Sequence, residues 1–233
     1  MLISITAITW FWAAFSSSIL TYRLFVGWKK YGGLYLGRFA IFFAILTAIF
    51  ILFGLTGLLV NPFFIKLFVI SGHILMWISF AALAEIIWLL RLDNLFSKWI
   101  LITLVLLGGG FELYLEWACE QLPKIEKISS LFTVVQFQFC VPAFFAEAIL
   151  LWLLSIPMGI IFIQEAIRME KKLKRRSMSI GLAFILISVA GMLTVLRQPP
   201  ILIIIENIII ILGAFMLLIA AIFMPVSNEK NQN

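Results

Sequence analysis

Five side chains in this sequence could do chemistry in surroundings that discourage charge: His73, Glu112, Glu116, Glu147 and Glu206. Each falls within a long apolar stretch, where an ionisable group is costly and marks a candidate functional site with a partner nearby. Glu112 and Glu116 are one helical turn apart and share a face. At ~1.5 Å per helical residue from the estimated segment ends, His73 lies ~15 Å deep, Glu147 ~10 Å and Glu206 ~8 Å, all from one side. Four segments thus send carboxylates or the chain's one imidazole to a similar depth. Carboxylates with a histidine suit Zn, Mn or Fe, which makes His73, Glu112, Glu147 and Glu206 the candidate metal ligands. No pair has the H-E-x-x-H or Glu-x-x-His spacing of helical metal sites. The same groups could relay protons or substrate. They could also make interhelical hydrogen bonds, with Glu112 and Glu116 at the wet interface. All three readings stay open.

The neighbours of these residues extend the candidate list. Ser71-Gly72-His73, with Trp77 one turn on, forms a small polar and aromatic patch. Its histidine could be a proton switch or a hydrogen-bond partner for a neighbouring helix. Arg197 stands one tight turn from Glu206, and the two could pair without a ligand. Gly108-Gly109-Gly110 precedes Phe111-Glu112. Three glycines weaken a helix, as in the broken helices of transporters, or let a neighbour pack closely. Pro157 and Gly159 permit a kink, with Ser155 able to satisfy a freed carbonyl. Cys119 and Cys140 bracket the one substantial outer loop. They are either two free thiols or a disulfide closing about twenty residues, worth roughly 3 kcal/mol.

These residues need elements that hold them in a bilayer. The chain is 64% hydrophobic and only 12% charged, against about 45–50% and about 25% for soluble domains. Its net charge of +6 is concentrated in loops, so it marks topology and attraction to anionic lipid, not nucleic-acid binding. A span needs roughly 20 apolar residues. The expected fold is all-α: an integral membrane bundle of seven transmembrane helices at about 3–26, 38–60, 63–90, 99–118, 140–166, 178–197 and 201–224, with a polar tail over 225–233. The first segment lacks a positive leader and a cleavage site, so it reads as a retained span. The basic run Lys171, Lys172, Lys174, Arg175 and Arg176, with Arg168 before it, fixes the sides. With that run inside, thirteen Lys and Arg fall inside and four outside, which puts the N-terminus out and the C-terminus in. Glu85, six residues in from Arg91, needs a partner, for which Arg23 is a candidate. The loop pattern also allows two parallel three-helix repeats joined by a linker helix.

What is missing excludes familiar activities. The last segment has no lysine for a retinal Schiff base, and one histidine cannot supply a three-histidine zinc site. The triplet–linker–triplet pattern resembles SWEET-type sugar transporters, but their proline in the first helix of each triplet has a counterpart here only at Pro157. Gln164-Glu165-Ala166-Ile167-Arg168, then Lys171-Lys172-Leu173-Lys174-Arg175-Arg176 and Gly181-Leu182-Ala183, resembles the fifth-to-sixth helix junction of prokaryotic seven-helix sensor domains. That resemblance implies a sensing or partner-binding module. The expected protein is thus a multi-pass cell-membrane module of non-enzymatic kind, binding a ligand or partner within the bilayer. Its basic run would meet lipid or a cytoplasmic signalling partner. A small-solute or ion transporter and a metal-dependent membrane enzyme, both using the outer cluster, are the alternatives. The cofactor is unspecified.

Overall fold

The computed structural model describes residues 3–92, 95, 97–137, 140–195 and 200–223. Among them are seven α-helices: α1 (Ile5–Tyr31), α2 (Leu34–Thr56), α3 (Pro62–Ile87), α4 (Lys98–Ala118), α5 (Val141–Ile167), α6 (Lys171–Val195) and α7 (Pro200–Ile222). Six of them, α2 to α7, are long and apolar enough to cross a membrane. The chain is a multi-span membrane protein. Helix α1 has 27 residues, but Thr6, Thr9, Ser16, Ser17, Ser18 and Thr21 dilute its apolarity. Several of these hydroxyls point inward. Ser17 Oγ donates to Phe43 O at 3.3 Å and accepts from Thr47 Oγ1 at 3.0 Å, joining α1 to α2.

Each helix packs on its neighbours in sequence, and α7 packs on α1, so the helices close a ring. The helix ends follow local chemistry. Ser4 caps α1 by accepting from Ala7 N, and Asn61 caps α3 by accepting from Phe63 N, with Pro62 as the first helical residue. Gly32 and Gly33 turn α1 into α2 with φ of 69° and 94°, a region that favours glycine. The stretch 27–37 between the first two expected spans, which carries Lys29 and Lys30, is therefore mostly helix. The basic run differs in the same way, because α6 begins at Lys171. Lys and Arg are good helix formers and no Gly or Pro intervenes before Gly181, so the helix outlasts the apolar stretch by two turns. A π-helical turn, Trp88–Leu92, extends α3.

The architecture is all-α as expected, with one small sheet at one end of the ring. Strands β1 (Ile3–Ser4), β2 (Lys124–Lys127) and β3 (Phe132–Gln136) lie in the order β1-β3-β2. Apolar and polar residues alternate over Val135-Gln136-Phe137, a pattern that suits extended backbone and falls partly in β3, and Val135 N donates to Thr6 Oγ1 of α1. Cys119 and Cys140 form a disulfide that ties the end of α4 to the start of α5, and Lys66 of α3 donates to Cys119 O.

Glycine serves packing here. Helix α4 runs unbroken through its triplet, and a Cβ on Gly109 would stand 2.3 Å from Trp77 Cγ. Helix α5 runs unbroken through Pro157. It crosses α6 where a Cβ on Gly159 or Gly181 would come within 2.9 or 2.7 Å of the other's carbonyl oxygen. Trp10 and Trp77 are buried and Trp12 is half-buried, whereas Trp152 is 44% exposed and faces outward. At the other end of the ring, Glu85 pairs with Arg38 at 3.2 Å and Lys98 at 2.8 Å, in place of Arg23.

Candidate functional site

Helices α3, α4 and α5 meet around His73. Glu112 and Glu116 occupy successive turns of the same α4 face, so both carboxylates reach the imidazole from one side. Glu116 Oε2 lies 2.8 Å from His73 Nδ1 in hydrogen-bond contact, and Glu112 Oε1 lies 4.0 Å from the same nitrogen. From α5, Glu147 Oε1 approaches the opposite ring nitrogen, Nε2, to 3.8 Å. Trp77, one turn after His73, donates from Nε1 to Glu112 Oε2 at 2.9 Å. The Phe53 ring stands edge-on to the imidazole, with centroids 5.7 Å apart.

The cluster is dry. Glu112 is 0% exposed, His73 3%, Glu116 5% and Glu147 6%, so Glu112 and Glu116 do not sit at a wet interface. Glu112 Oε1 and Glu147 Oε2 have no hydrogen-bond partner among the described residues. Three carboxylates face one imidazole, and even a fully protonated ring offsets a single charge. Buried charges need partners, so the balance falls to protons or to a cation.

One face of the cluster opens onto a cavity of about 100 Å³ inside the ring. His73 and Glu147 are the ionisable residues among its described lining, while Glu112 and Glu116 stand behind the imidazole. Phe42, Phe50, Phe53, Phe137 and Phe184 supply aromatic wall, and Ser79, Ser155 and Ser188 dot its length with hydroxyls. The arrangement can hold an apolar body while offering its head one imidazole edge and one carboxylate.

The other residues singled out from sequence fall elsewhere. Glu206 is buried on α7, which packs on α1 and α6; it lies outside the group of His73, Glu112 and Glu116 whose ligand atoms come within 4.8 Å of one another. Of the four residues expected as metal ligands, His73 and Glu112 belong to that group, Glu147 and Glu206 do not, and Glu116 joins it. Arg197 and the tail 225–233 lie outside the described residues, as does the side chain of Lys172. Lys171, Lys174 and Arg175 are exposed on the first turns of α6, and Arg175 lies over the Phe223 ring. The aromatic and serine lining of the cavity had no sequence signal, since 23 phenylalanines spread along the chain make none of them distinctive. No family model, curated protein or solved structure matches this chain.

Proposed function

We propose that this is a seven-span cell-membrane module, N-terminus outside, that binds a small apolar ligand with a polar head inside its helix ring. The observation that carries the reading is the cavity, walled by aromatic side chains and headed by His73 and Glu147. A cavity of about 100 Å³ is comparable to the engineered ~150 Å³ apolar cavity that takes up benzene. A ring or short alkyl chain therefore fits its body. At its head, an imidazole edge and a carboxylate suit a hydroxyl or an amine, which both donate and accept or carry positive charge.

The orientation rests on the excess of Lys and Arg at the opposite end of the ring, including the first turns of α6. In this topology the cluster, sheet and disulfide lie towards the outer face, and the basic turns towards anionic lipid or a cytoplasmic partner. That division suits the sensor-like reading, with a ligand received on one side and a partner contacted on the other. The two-triplet arrangement fits the same topology.

Displacement of a fluorescent arylamine from detergent-purified protein by n-alkanols and n-alkylamines tests the reading. Saturable displacement is expected to tighten with chain length until the cavity is full. Glu147→Gln and the cavity-filling Gly191→Leu are each expected to weaken it by about tenfold, ~1.4 kcal/mol. Absence of saturable displacement, or indifference to both substitutions, would overturn it.

A further inference from the structure

We propose that His73 Nδ1, Glu112 and Glu116 bind one divalent first-row metal ion, with Glu147 as the acceptor for the far edge of the imidazole. The three ligand atoms come from adjacent helices and lie within 4.8 Å of one another. Bonds of ~2.0–2.2 Å in a tetrahedral site put ligand atoms about 3.3–3.6 Å apart. The separations of 2.8 Å (Nδ1 to Glu116) and 4.0 Å (Nδ1 to Glu112) straddle that spacing. Small side-chain rotations bring all three onto one ion.

Two features outside the ligand atoms point the same way. Trp77 holds one oxygen of Glu112 by a hydrogen bond, and the other, Oε1, is buried without a hydrogen-bond partner and directed at the imidazole. Metal-binding carboxylates are oriented by such outer contacts. On α5, the buried Glu147 carboxylate lies just beyond hydrogen-bond reach of Nε2, with its second oxygen unpartnered. A carboxylate behind a metal-bound histidine is the recurring arrangement that fixes ring orientation and tautomer. The charges also add up. A divalent ion reduces three negative charges to one, which a single proton then offsets.

Carboxylate oxygens and an imidazole suit Zn, Mn or Fe and disfavour copper(I), whose soft thiolate ligands are lacking because both cysteines are engaged in the disulfide. With Nδ1 on the metal, the ring keeps its proton on Nε2, the edge facing Glu147 and the cavity. The ion would therefore make His73 a fixed donor towards whatever enters. This site does not depend on the occupant of the cavity, so it stands or falls separately from the ligand reading.

The test is metal content and Co2+ titration of the chelator-stripped, detergent-purified protein. Wild type is expected to take up one equivalent of Zn2+, displaceable against Co2+ with visible d–d absorption of nitrogen–oxygen ligation. His73→Ala and Glu116→Gln are each expected to weaken binding at least about tenfold, whereas Glu165→Gln, at the other end of the ring, leaves it unchanged. Gly191→Leu fills the cavity and is also expected to leave it unchanged. Well under one equivalent in folded wild type would overturn the site. So would a His73→Ala variant that binds as tightly as wild type.

Discussion

Trp77 does two things at once: its indole N–H holds Glu112, and its ring fills the space over Gly109. Trp77→Phe keeps most of the ring and removes the donor, leaving a buried carboxylate oxygen without its bond. The expected loss is about 1–3 kcal/mol, read as a lower midpoint in denaturant titration of the detergent-solubilised protein. Glu112→Gln in the same background should recover part of it, since the neutral amide is cheaper to leave unpaired. The residues of this cluster were legible in depth but not in direction. A fixed helical rise puts His73, Glu112, Glu116, Glu147 and Glu206 near one level. Which of them face each other depends on the rotation of each helix, and apolar residues on all sides of these helices give no stripe from which to read it. Glu206 shared the depth but belongs to α7, two helices away around the ring from α5.

Helix α4 tests whether its glycines serve contact or flexibility. A Cβ at Gly109 would meet the Trp77 ring, while one at Gly110 has open space within 4 Å. Gly109→Ala should therefore cost about 1–3 kcal/mol through overpacking. Gly110→Ala should be neutral or stabilise by up to about 1 kcal/mol through helix propensity. Thermal unfolding of the two variants distinguishes them; equal effects would mean that Trp77 does not pack on Gly109. The segments themselves were legible, since runs of some twenty apolar residues leave little choice but helix. Their ends were less so. Apolarity stops at Val26 or Met178, but the backbone has no reason to stop there, and it turns where Gly32 and Gly33 allow or where α6 begins at Lys171. The small sheet was legible only as an alternation around Val135, because its partner strands Ile3–Ser4 and Lys124–Lys127 are too short to carry a pattern.

Across the whole molecule, the disulfide and the sheet close one end of the ring directly above the cluster. Cys119 is three residues from Glu116, and Cys140 is seven from Glu147. Replacing both cysteines by serine should cost about 3 kcal/mol on the loop-closure estimate for this separation, measured as a fall in unfolding midpoint relative to oxidised wild type. Because both native cysteines are bonded, an introduced thiol gives a clean test of orientation in whole cells. An impermeant maleimide should label Ser129→Cys, in the turn between β2 and β3, and spare Glu170→Cys beside α6; the reverse pattern would invert the topology.

Three carboxylates gather about the chain's single histidine, and that singleness makes the arrangement measurable. Nitrogen-15 labelling of histidine places one imidazole, and no other, in the NMR spectrum of the detergent-solubilised protein. The geometry predicts that Glu116→Gln chiefly moves the Nδ1 resonance, that Glu147→Gln chiefly moves Nε2, and that Glu126→Gln, half-buried in β2, moves neither. If both ring nitrogens keep their wild-type shifts in Glu116→Gln and Glu147→Gln alike, the carboxylates do not meet His73. The cluster, the cavity head and the metal site would then all be wrong.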